Sequence, residues 1–376
     1  MQPGLTLSLT PPHLATRIAL KLARLVGRPE LLAGASGFAA RDDDANAALY
    51  YVAMRHFGGR AEGCAAAVAA LRRGRLSPAR VLQPFGDDPR RAVSELIRQI
   101  EGLLVHVDER AQRAVPTAGR TLRYALSLLR GEASDAYALW SALPETQQAL
   151  ELLQARVKLL APASSTRLAV VLPGMPDADY STEIEGHDLV ARTTLPHLSP
   201  PHEKTGARTD LVFLNLDRAR QLKPDGPVTP PVVTKRTSRR AVARLRQGLR
   251  APISFDLVEP ALPTASATYL ILPITLWALE RHRSPPSLYC ADFYLGASAY
   301  AQKTYDAKEY LKGAQDVRLS YLAHDVFFVH AALRRWAEEG RIRPRGTLAD
   351  LLALDGPTFA ARIQGRWGPA PEAIGD

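Results

Sequence analysis

The chain has 376 residues and a formal net charge of +10, and its hydrophobic and charged contents are 46% and 23%. These contents are close to the globular average, which argues against a disordered chain and against a membrane protein. The two cysteines, Cys64 and Cys290, are too few for a disulfide framework or for a zinc site built mainly of thiolates.

Signals for membrane insertion or secretion are not recognisable in the sequence. The longest apolar run, residues 267–279, is too short to span a bilayer and has a proline in its middle. The first residues lack the basic start of a secretory signal, and the apolar pattern that follows them is amphipathic. We therefore expect a cytoplasmic protein that has no membrane partner.

Residues 1–160 predict an α-helical domain. Over residues 14–27, leucine and isoleucine recur at spacings of three and four, which is typical of a helix with one apolar face. Residues 43–57 begin with carboxylates and end before two glycines, and both features are typical of helix termini. Further helices are predicted over residues 61–73, 89–107, 117–130 and 145–160.

Residues 161–290 predict a mixed region that contains β-strands and long proline-rich connections. The apolar runs LAVVLP, DLVFLNL, ISFDLV and TYLIL are typical of short strands, and the prolines between them favour extended backbone. Residues 291–376 predict helices again, most clearly over residues 316–340. We therefore expect an α+β fold that is predominantly α-helical, with helical N-terminal and C-terminal regions around a Pro-rich, β-containing middle region.

A basic segment, residues 234–252, is the first candidate binding site. Seven Lys or Arg side chains lie between Asp225 and Asp256 with no carboxylate among them. The pattern predicts a helix that packs by one apolar stripe and presents guanidinium groups, whose paired donors match phosphate oxygens. A solvated face, or a face paired with the acidic residues 177–188, is the alternative. The predicted phosphate contacts are Lys235, Arg236, Arg239, Arg240, Arg244, Arg246 and Arg250.

A segment in which aromatic residues alternate with lysines is the second candidate binding site. Aromatic rings beside cations are typical of grooves for single-stranded nucleic acid, because bases stack on the rings while the lysines follow the backbone. Aromatic residues at helical spacing are also typical of a protein core, and this alternative stays open. The predicted contacts are Tyr300, Lys303, Tyr305, Lys308 and Lys312.

An acidic stretch, residues 177–189, is a candidate metal site, and it supports a second interpretation of the chain as a metal-dependent enzyme. Clustered carboxylates near histidines can hold Mg²⁺ or Mn²⁺ for phosphoryl transfer. The order of a D-x-D pair, a histidine and a later aspartate beside a strand resembles primase-type polymerase sites, although here the pair lies in a Pro/Gly loop. A solvated acidic loop is the simpler interpretation. The four candidate carboxylates are Asp177, Asp179, Glu183 and Glu185.

Four other polar residues are interpreted as structural. Cys290 stands among apolar residues, so it is expected to be a buried thiol. His324, Asp325 and His330 are expected at the rim of the amphipathic helix over residues 316–340.

The sequence contains no established catalytic motif. We therefore predict a non-enzymatic, nucleic-acid-binding structural protein of nucleocapsid or coat type, without a cofactor or a bound metal. It is expected to form a homo-oligomer or a larger assembly, and the pattern does not distinguish RNA from DNA. The alternatives are a metal-dependent nuclease or polymerase, and a protein-interaction subunit whose basic helix docks on an acidic partner.

Overall fold

The computed structural model of the chain describes most of its second half and part of the first. The described residues are 116–162, 164–193, 202–214, 231–235, 253–257, 269–296 and 324–368, together with Val93, Ser94, Ile97, Glu101, Val317, Arg318, Ser320 and Tyr321. The helices predicted before residue 89 therefore lie outside the described residues.

Parallel β-strands form the central layer of the described region. Their order in the sheet is β5-β4-β3-β2-β1-β6-β7, and every neighbouring pair is parallel. All four residues of β1 are buried, as expected for a strand that is covered on both faces. The strands are β1 (Leu168–Val171), β2 (Leu189–Arg192), β3 (Leu211–Leu214), β4 (Val232–Lys235), β5 (Ile253–Leu257), β6 (Ser287–Tyr289) and β7 (Arg343–Pro344).

Helices precede the sheet, connect some of its strands and follow its last strand. They are α1 (Pro116–Arg130), α2 (Ala133–Ser141), α3 (Pro144–Lys158), α4 (Ser181–Glu185), α5 (His202–Thr205), α6 (Ile271–Arg281), α7 (Val326–Glu338), α8 (Thr347–Ala353) and α9 (Gly356–Trp367). Over the residues that the structure describes, no helix is long and apolar enough to cross a bilayer.

The core lies around α7, which is buried along most of its length. Trp336 of α7 is fully buried, and its indole Nε1 donates a hydrogen bond to Gln154 Oε1 of α3 at 2.9 Å. Phe327 packs edge-on against Tyr137 of α2, with ring centroids 5.3 Å apart. On the sheet, the ring of Phe213 meets Trp277 of α6 at 5.0 Å. Helices that come before the first strand in the chain therefore share one core with helices that come after it.

The mixed fold with substantial helix is confirmed, but the finer α+β assignment is wrong. All described strand pairs are parallel, and parallel neighbours need crossover connections, as in α/β sheets. The runs LAVVLP, DLVFLNL and ISFDLV do contain β1, β3 and β5. The proline-rich connections and the domain boundaries at residues 160 and 290 stay predictions.

The run TYLIL is not a strand, because α6 begins at Ile271 and continues to Arg281. Every residue from Ile271 to Leu279 is buried, so the run lacks the polar stripe by which an amphipathic helix is recognised. Pro273 is tolerated because it lies in the first turn, where the backbone N–H has no acceptor within the helix.

Candidate functional site

The strand order reverses between β1 and β6. From β1 the chain continues to β2 on one side of the sheet, and from β6 it continues to β7 on the other side. In open parallel sheets, ligands bind in the crevice that such a reversal leaves at the carboxyl ends of the two strands. We call this place the switch-point crevice and define it by residues 172–177 after β1 and residues 290–296 after β6.

The two segments of the switch-point crevice are joined by backbone hydrogen bonds. The amide of Leu172 donates to Tyr289 O at 3.0 Å, and the amide of Gly174 donates to Cys290 O at 2.8 Å. A Cβ atom on Gly174 would lie 2.5 Å from Cys290 O, a distance that side chains do not adopt. Glycine is therefore required at position 174 for the two segments to approach this closely.

The segment after β6 has an unusual backbone conformation. Cys290, Phe293 and Tyr294 have φ angles of 58°, 50° and 64°, in the left-handed region that residues with a side chain rarely adopt. Two side chains hold this conformation: Tyr321 Oη donates to Phe293 O at 2.7 Å, and Trp367 Nε1 donates to Tyr294 O at 2.9 Å. Strained backbone that is held in this way clusters at functional sites.

Asp292 lies within this segment and is 8% exposed. Its carboxylate accepts hydrogen bonds from the amides of Tyr294 at 2.9 Å and Gly296 at 3.2 Å. Burial nevertheless raises the pKa of Asp292 to about 6. Burial also raises the pKa of the neighbouring Cys290 thiol to about 12, which confirms the prediction of a buried, unreactive cysteine.

His324 lies next to the switch-point crevice. Its Nδ1 atom is 3.0 Å from Ser320 O, and because a carbonyl oxygen only accepts, Nδ1 carries the proton in the neutral ring. The lone pair is therefore on Nε2. The imidazole stacks on the ring of Tyr269 at 4.9 Å, and Tyr269 in turn packs against Phe293 and Tyr294 at 6.4 and 5.5 Å. A single aromatic ring thus separates His324 from the strained segment.

The prediction that His324, Asp325 and His330 lie at the rim of one helix is wrong. Asp325 has a φ of 36°, breaks the helical path before α7 and is fully buried. His330 is 2% exposed, and its Nε2 donates to Leu351 O at 3.0 Å. Its ring stacks on Phe359 at 3.9 Å, and burial lowers its pKa to about 4.

The acidic residues of the predicted metal site do not converge on one point. Asp179 accepts hydrogen bonds from the N and Oγ atoms of Ser181, the first residue of α4, at 2.9 and 2.6 Å. Glu183 pairs with Arg345 at 2.8 Å, and Glu185 accepts from the Ala207 amide at 2.9 Å. No cluster of three His, Cys, Asp or Glu that suits a metal ion occurs within the described ranges. The geometry that a metal-dependent nuclease or polymerase needs is therefore not formed by these carboxylates.

Asp177 instead connects the switch-point crevice to α8. Its Oδ2 accepts from Thr347 N and Oγ1 at 2.5 and 2.9 Å, and its Oδ1 accepts from Tyr180 Oη at 2.7 Å. Desolvation is the largest single influence and raises the pKa of Asp177, but the hydrogen bonds from Tyr180 and Thr347 together outweigh it, so the pKa is lowered. Asp177 is thus a structural anchor for the segment after β1.

We expect Asp177→Ala to lower the free energy of unfolding by about 1–2 kcal/mol, because three donors lose a charged acceptor at a partly exposed position. Asp179→Ala is the matched control, since Asp179 bonds only to a residue two positions away and should have a smaller effect. Urea unfolding of both variants, with and without Mg²⁺, measures the difference. Stabilisation of the parent protein by Mg²⁺ that is lost in Asp177→Ala would instead favour a metal site.

Of the residues predicted to bind nucleic acid, the structure describes one, Lys235, so these predicted contacts stay predictions. Lys235 is the last residue of β4, at the carboxyl edge of the sheet. Residues 236–252 therefore connect the carboxyl end of β4 to the amino end of the parallel strand β5. The other predicted contacts lie outside the described residues: Arg236, Arg239, Arg240, Arg244, Arg246, Arg250, Tyr300, Lys303, Tyr305, Lys308 and Lys312.

Sequence reasoning missed Gly174, Asp292 and His324 as candidate site residues. A recognisable signal existed for Gly174, because a glycine directly after a buried strand is typical of ligand-binding turns in parallel sheets. Asp292 lies close to Cys290, in a stretch whose apolar residues led only to the prediction of a buried thiol. His324 was assigned to a continuous helix, and the break at Asp325 has no glycine or proline to mark it.

Comparison with known proteins gives a distant likeness to a solved structure. No protein-family model and no curated protein sequence matches the chain. A solved mammalian sialyltransferase, in complex with Gal-beta-1-3GalNAc-ortho-nitrophenol, is similar with 14% sequence identity over 60% of this chain and 85% of that chain, at a TM-score of 0.29. We transfer no residue role from a likeness this distant.

The prediction of a nucleic-acid-binding structural protein of nucleocapsid or coat type is wrong. The solved protein to which the chain is similar is an enzyme. The basic excess misled the prediction because net charge reports on the sign of partners and carries no information about fold.

Proposed function

We propose that this protein is an enzyme that transfers a sugar from a nucleotide-linked donor to an acceptor hydroxyl. The nucleotide binds in the switch-point crevice, and His324 is the general base. The observation that carries the proposal is the reversal of strand order between β1 and β6, because open parallel sheets bind nucleotides at the carboxyl ends of such strands.

The form of the crevice supports a ligand with phosphate groups. Gly174 brings backbone into the crevice without a side chain, as the glycines of nucleotide-binding turns do when backbone approaches a phosphate. The segment after β6 is pre-organised by Tyr321, Trp367 and Asp292, so little conformational entropy is lost on binding.

His324 is the proposed base that removes the proton from the acceptor hydroxyl. With its proton on Nδ1, the neutral imidazole has a lone pair on Nε2 that can take the proton of an acceptor hydroxyl. The acceptor oxygen then bonds to the sugar carbon, the bond from that carbon to the phosphate oxygen breaks, and the nucleotide leaves with the electron pair. Sugars are rich in hydroxyl groups, and glycosyl transfer is also the activity named for the similar solved protein.

Nucleotide binding tests the proposal directly. We expect one of the cytidine, uridine or guanosine mono- or diphosphates to bind with a Kd of about 1 μM to 1 mM in titration calorimetry. Gly174→Ala should weaken this binding by more than about tenfold, because its Cβ atom forces the two segments of the crevice apart.

Gly365→Ala is the matched control for this experiment. Gly365 lies inside α9, where a Cβ atom meets no neighbouring atom within 4 Å, so the same substitution leaves the crevice unchanged. The proposal fails if none of the nucleotides binds. It also fails if Gly174→Ala remains folded, as judged by circular dichroism, and binds as tightly as the parent protein.

A further inference from the structure

The helical path is interrupted between His324 and α7. Tyr321 and His324 have helical backbone, Asp325 adopts φ 36° and ψ 74°, and α7 begins at Val326. A left-handed conformation is unfavourable for a residue with a side chain, although aspartate tolerates it better than most. The break is therefore maintained by other interactions.

The carboxylate of Asp325 supplies these interactions. Oδ1 accepts from the Phe328 amide at 3.0 Å, which caps the first turn of α7. Oδ2 accepts from Trp140 Nε1 at 3.2 Å, which ties the break to α2. Asp325 is 0% exposed, so both hydrogen bonds form away from water, where such bonds are strongest.

The surroundings of Asp325 are aromatic and closely packed. Phe327 lies 5.9 Å from Trp140 and 6.4 Å from Tyr124, measured between ring centroids. The pKa of Tyr124 is raised by its own burial, and the negative charge of Asp325 raises it further. Rigid rings on several sides fix the position of the break.

The break decides the direction in which His324 points. In an uninterrupted helix, residues 324 and 328 would lie on the same face, because positions four apart are stacked one turn above the other. Phe328 is fully buried, so this face points into the core. His324 is instead partly exposed and stacks on Tyr269 beside the switch-point crevice.

We propose that Asp325 is the positioning residue of His324: by capping α7 and binding Trp140, it turns the chain so that the imidazole stacks on Tyr269, next to the switch-point crevice, and does not enter the core. The inference rests on the proposed function for its catalytic consequence. Its structural part, the orientation and tautomer of His324, is measurable without any substrate.

Asp325→Asn is the variant that tests this role. Above pH 7, where Asp325 is ionised, two N–H donors face the carboxylate, and asparagine offers only one oxygen, so one of the two hydrogen bonds is lost. We expect the long-range ¹H–¹⁵N spectrum of the histidine rings to show the Nδ1–H tautomer of His324 in the parent protein. In Asp325→Asn, we expect a mixture of tautomers.

Asp355→Asn is the matched control. Asp355 caps α9 by accepting from the Thr358 amide at 2.8 Å, and the residue before it is a leucine and not a histidine. The variant removes a helix cap of the same kind, and the signals of His324 should not change. If Asp325→Asn does not fold, Trp140→Phe keeps an aromatic ring at this position and removes the indole N–H donor, and it should give the same mixture of tautomers.

Kinetics then separate positioning from a general loss of stability. Asp325→Asn should lower kcat by about 10- to 100-fold, because small misplacements of a reacting group have effects of this size, with the nucleotide Kd within about twofold. In a His324→Ala background, Asp325→Asn should cause no further loss of kcat, since its effect passes through the imidazole.

Two outcomes would overturn the inference. The first is an unchanged His324 tautomer in both folded variants, Asp325→Asn and Trp140→Phe. The second is a full, additive loss of kcat from Asp325→Asn in the His324→Ala background. Failure to bind any nucleotide, with the expected change of tautomer present, would reject the proposed function and leave the positioning role of Asp325 intact.

Discussion

His324→Ala is expected to lower kcat by about 10²–10⁴-fold, which is the usual contribution of a positioned general base. The affinity for the nucleotide should stay within about twofold of the parent protein, because the donor binds to the backbone of residues 172–177 and 290–296 and not to the imidazole. The measurement is the release of free nucleotide from a nucleotide sugar in the presence of saccharide acceptors, combined with calorimetric binding.

His187→Ala is the matched control for this experiment. His187 also has its Nδ1 atom near a backbone carbonyl, 2.8 Å from Glu183 O, and its Nε2 atom lies 3.1 Å from Ser287 Oγ. Ser287 begins β6, so His187 lies at the amino edge of the sheet, opposite to the crevice. Equal activity losses in the two variants, or full activity in His324→Ala, would exclude His324 as the base.

Apolar pattern alone identified three of the seven strands in the described sheet. The runs that contain β1, β3 and β5 are short, apolar and bounded by polar or proline residues, so propensity and burial agree there. The strand β2 follows the acidic stretch, and β7 has only two residues, Arg343 and Pro344. Such strands are formed by pairing with a neighbour, which a local pattern does not contain.

In α6 the apolar pattern failed in the opposite way, because it predicted a strand where the structure has a helix. Residues 271–279 are buried on all sides, and a continuous apolar run of this kind is compatible with a buried strand or with a buried helix. The short apolar run TYLIL led to the prediction of a strand here. Tertiary burial between the sheet and α7 decides the outcome, and only the folded chain provides it.

The candidate site was hidden because its parts are far apart in the sequence. Gly174 meets Cys290 only because β1 and β6 are neighbours in the sheet, although four other strands of the sheet separate them along the chain. His324 comes within one aromatic ring, that of Tyr269, of this place through the break at Asp325, and Asp325 is bound by Trp140 from α2. The dense run of arginines at residues 234–252 was a stronger local signal, but charge density describes a surface and does not locate a crevice.

Two buried groups on α7 and at its start should make opposite contributions to the pH dependence of stability. Burial raises the pKa of Asp325 from its ordinary 3.8 to about 7, and burial lowers the pKa of His330 from its ordinary 6.5 to about 4. Neither residue is a cause of the shift of the other. Their contributions can therefore be separated by single substitutions.

The sign of each contribution to the pH dependence of stability follows from whether the folded protein prefers the neutral or the charged form of the side chain. Asp325 is preferred neutral, so its contribution is present below pH 4 and is lost as the pH rises to 7. His330 is also preferred neutral, so its contribution is present above pH 6.5 and is lost as the pH falls to 4. At about 1.4 kcal/mol for each pH unit between the two values, the contributions are on the order of 4 kcal/mol for Asp325 and 3 kcal/mol for His330.

Because the two slopes oppose each other over the same range, each should become visible only when the other is removed. Relative to the parent protein, Asp325→Asn should gain stability steadily from pH 4 to pH 7, and His330→Phe should gain stability as the pH falls from 6.5 to 4. His330→Phe keeps a ring against Phe359, and its lost hydrogen bond to Leu351 O adds a nearly constant offset. Urea unfolding of the three proteins at half-unit pH steps measures the differences. Parallel curves would show that neither group is held neutral by the fold, whereas opposite slopes would show that the aromatic interior around α7 excludes charge at both positions.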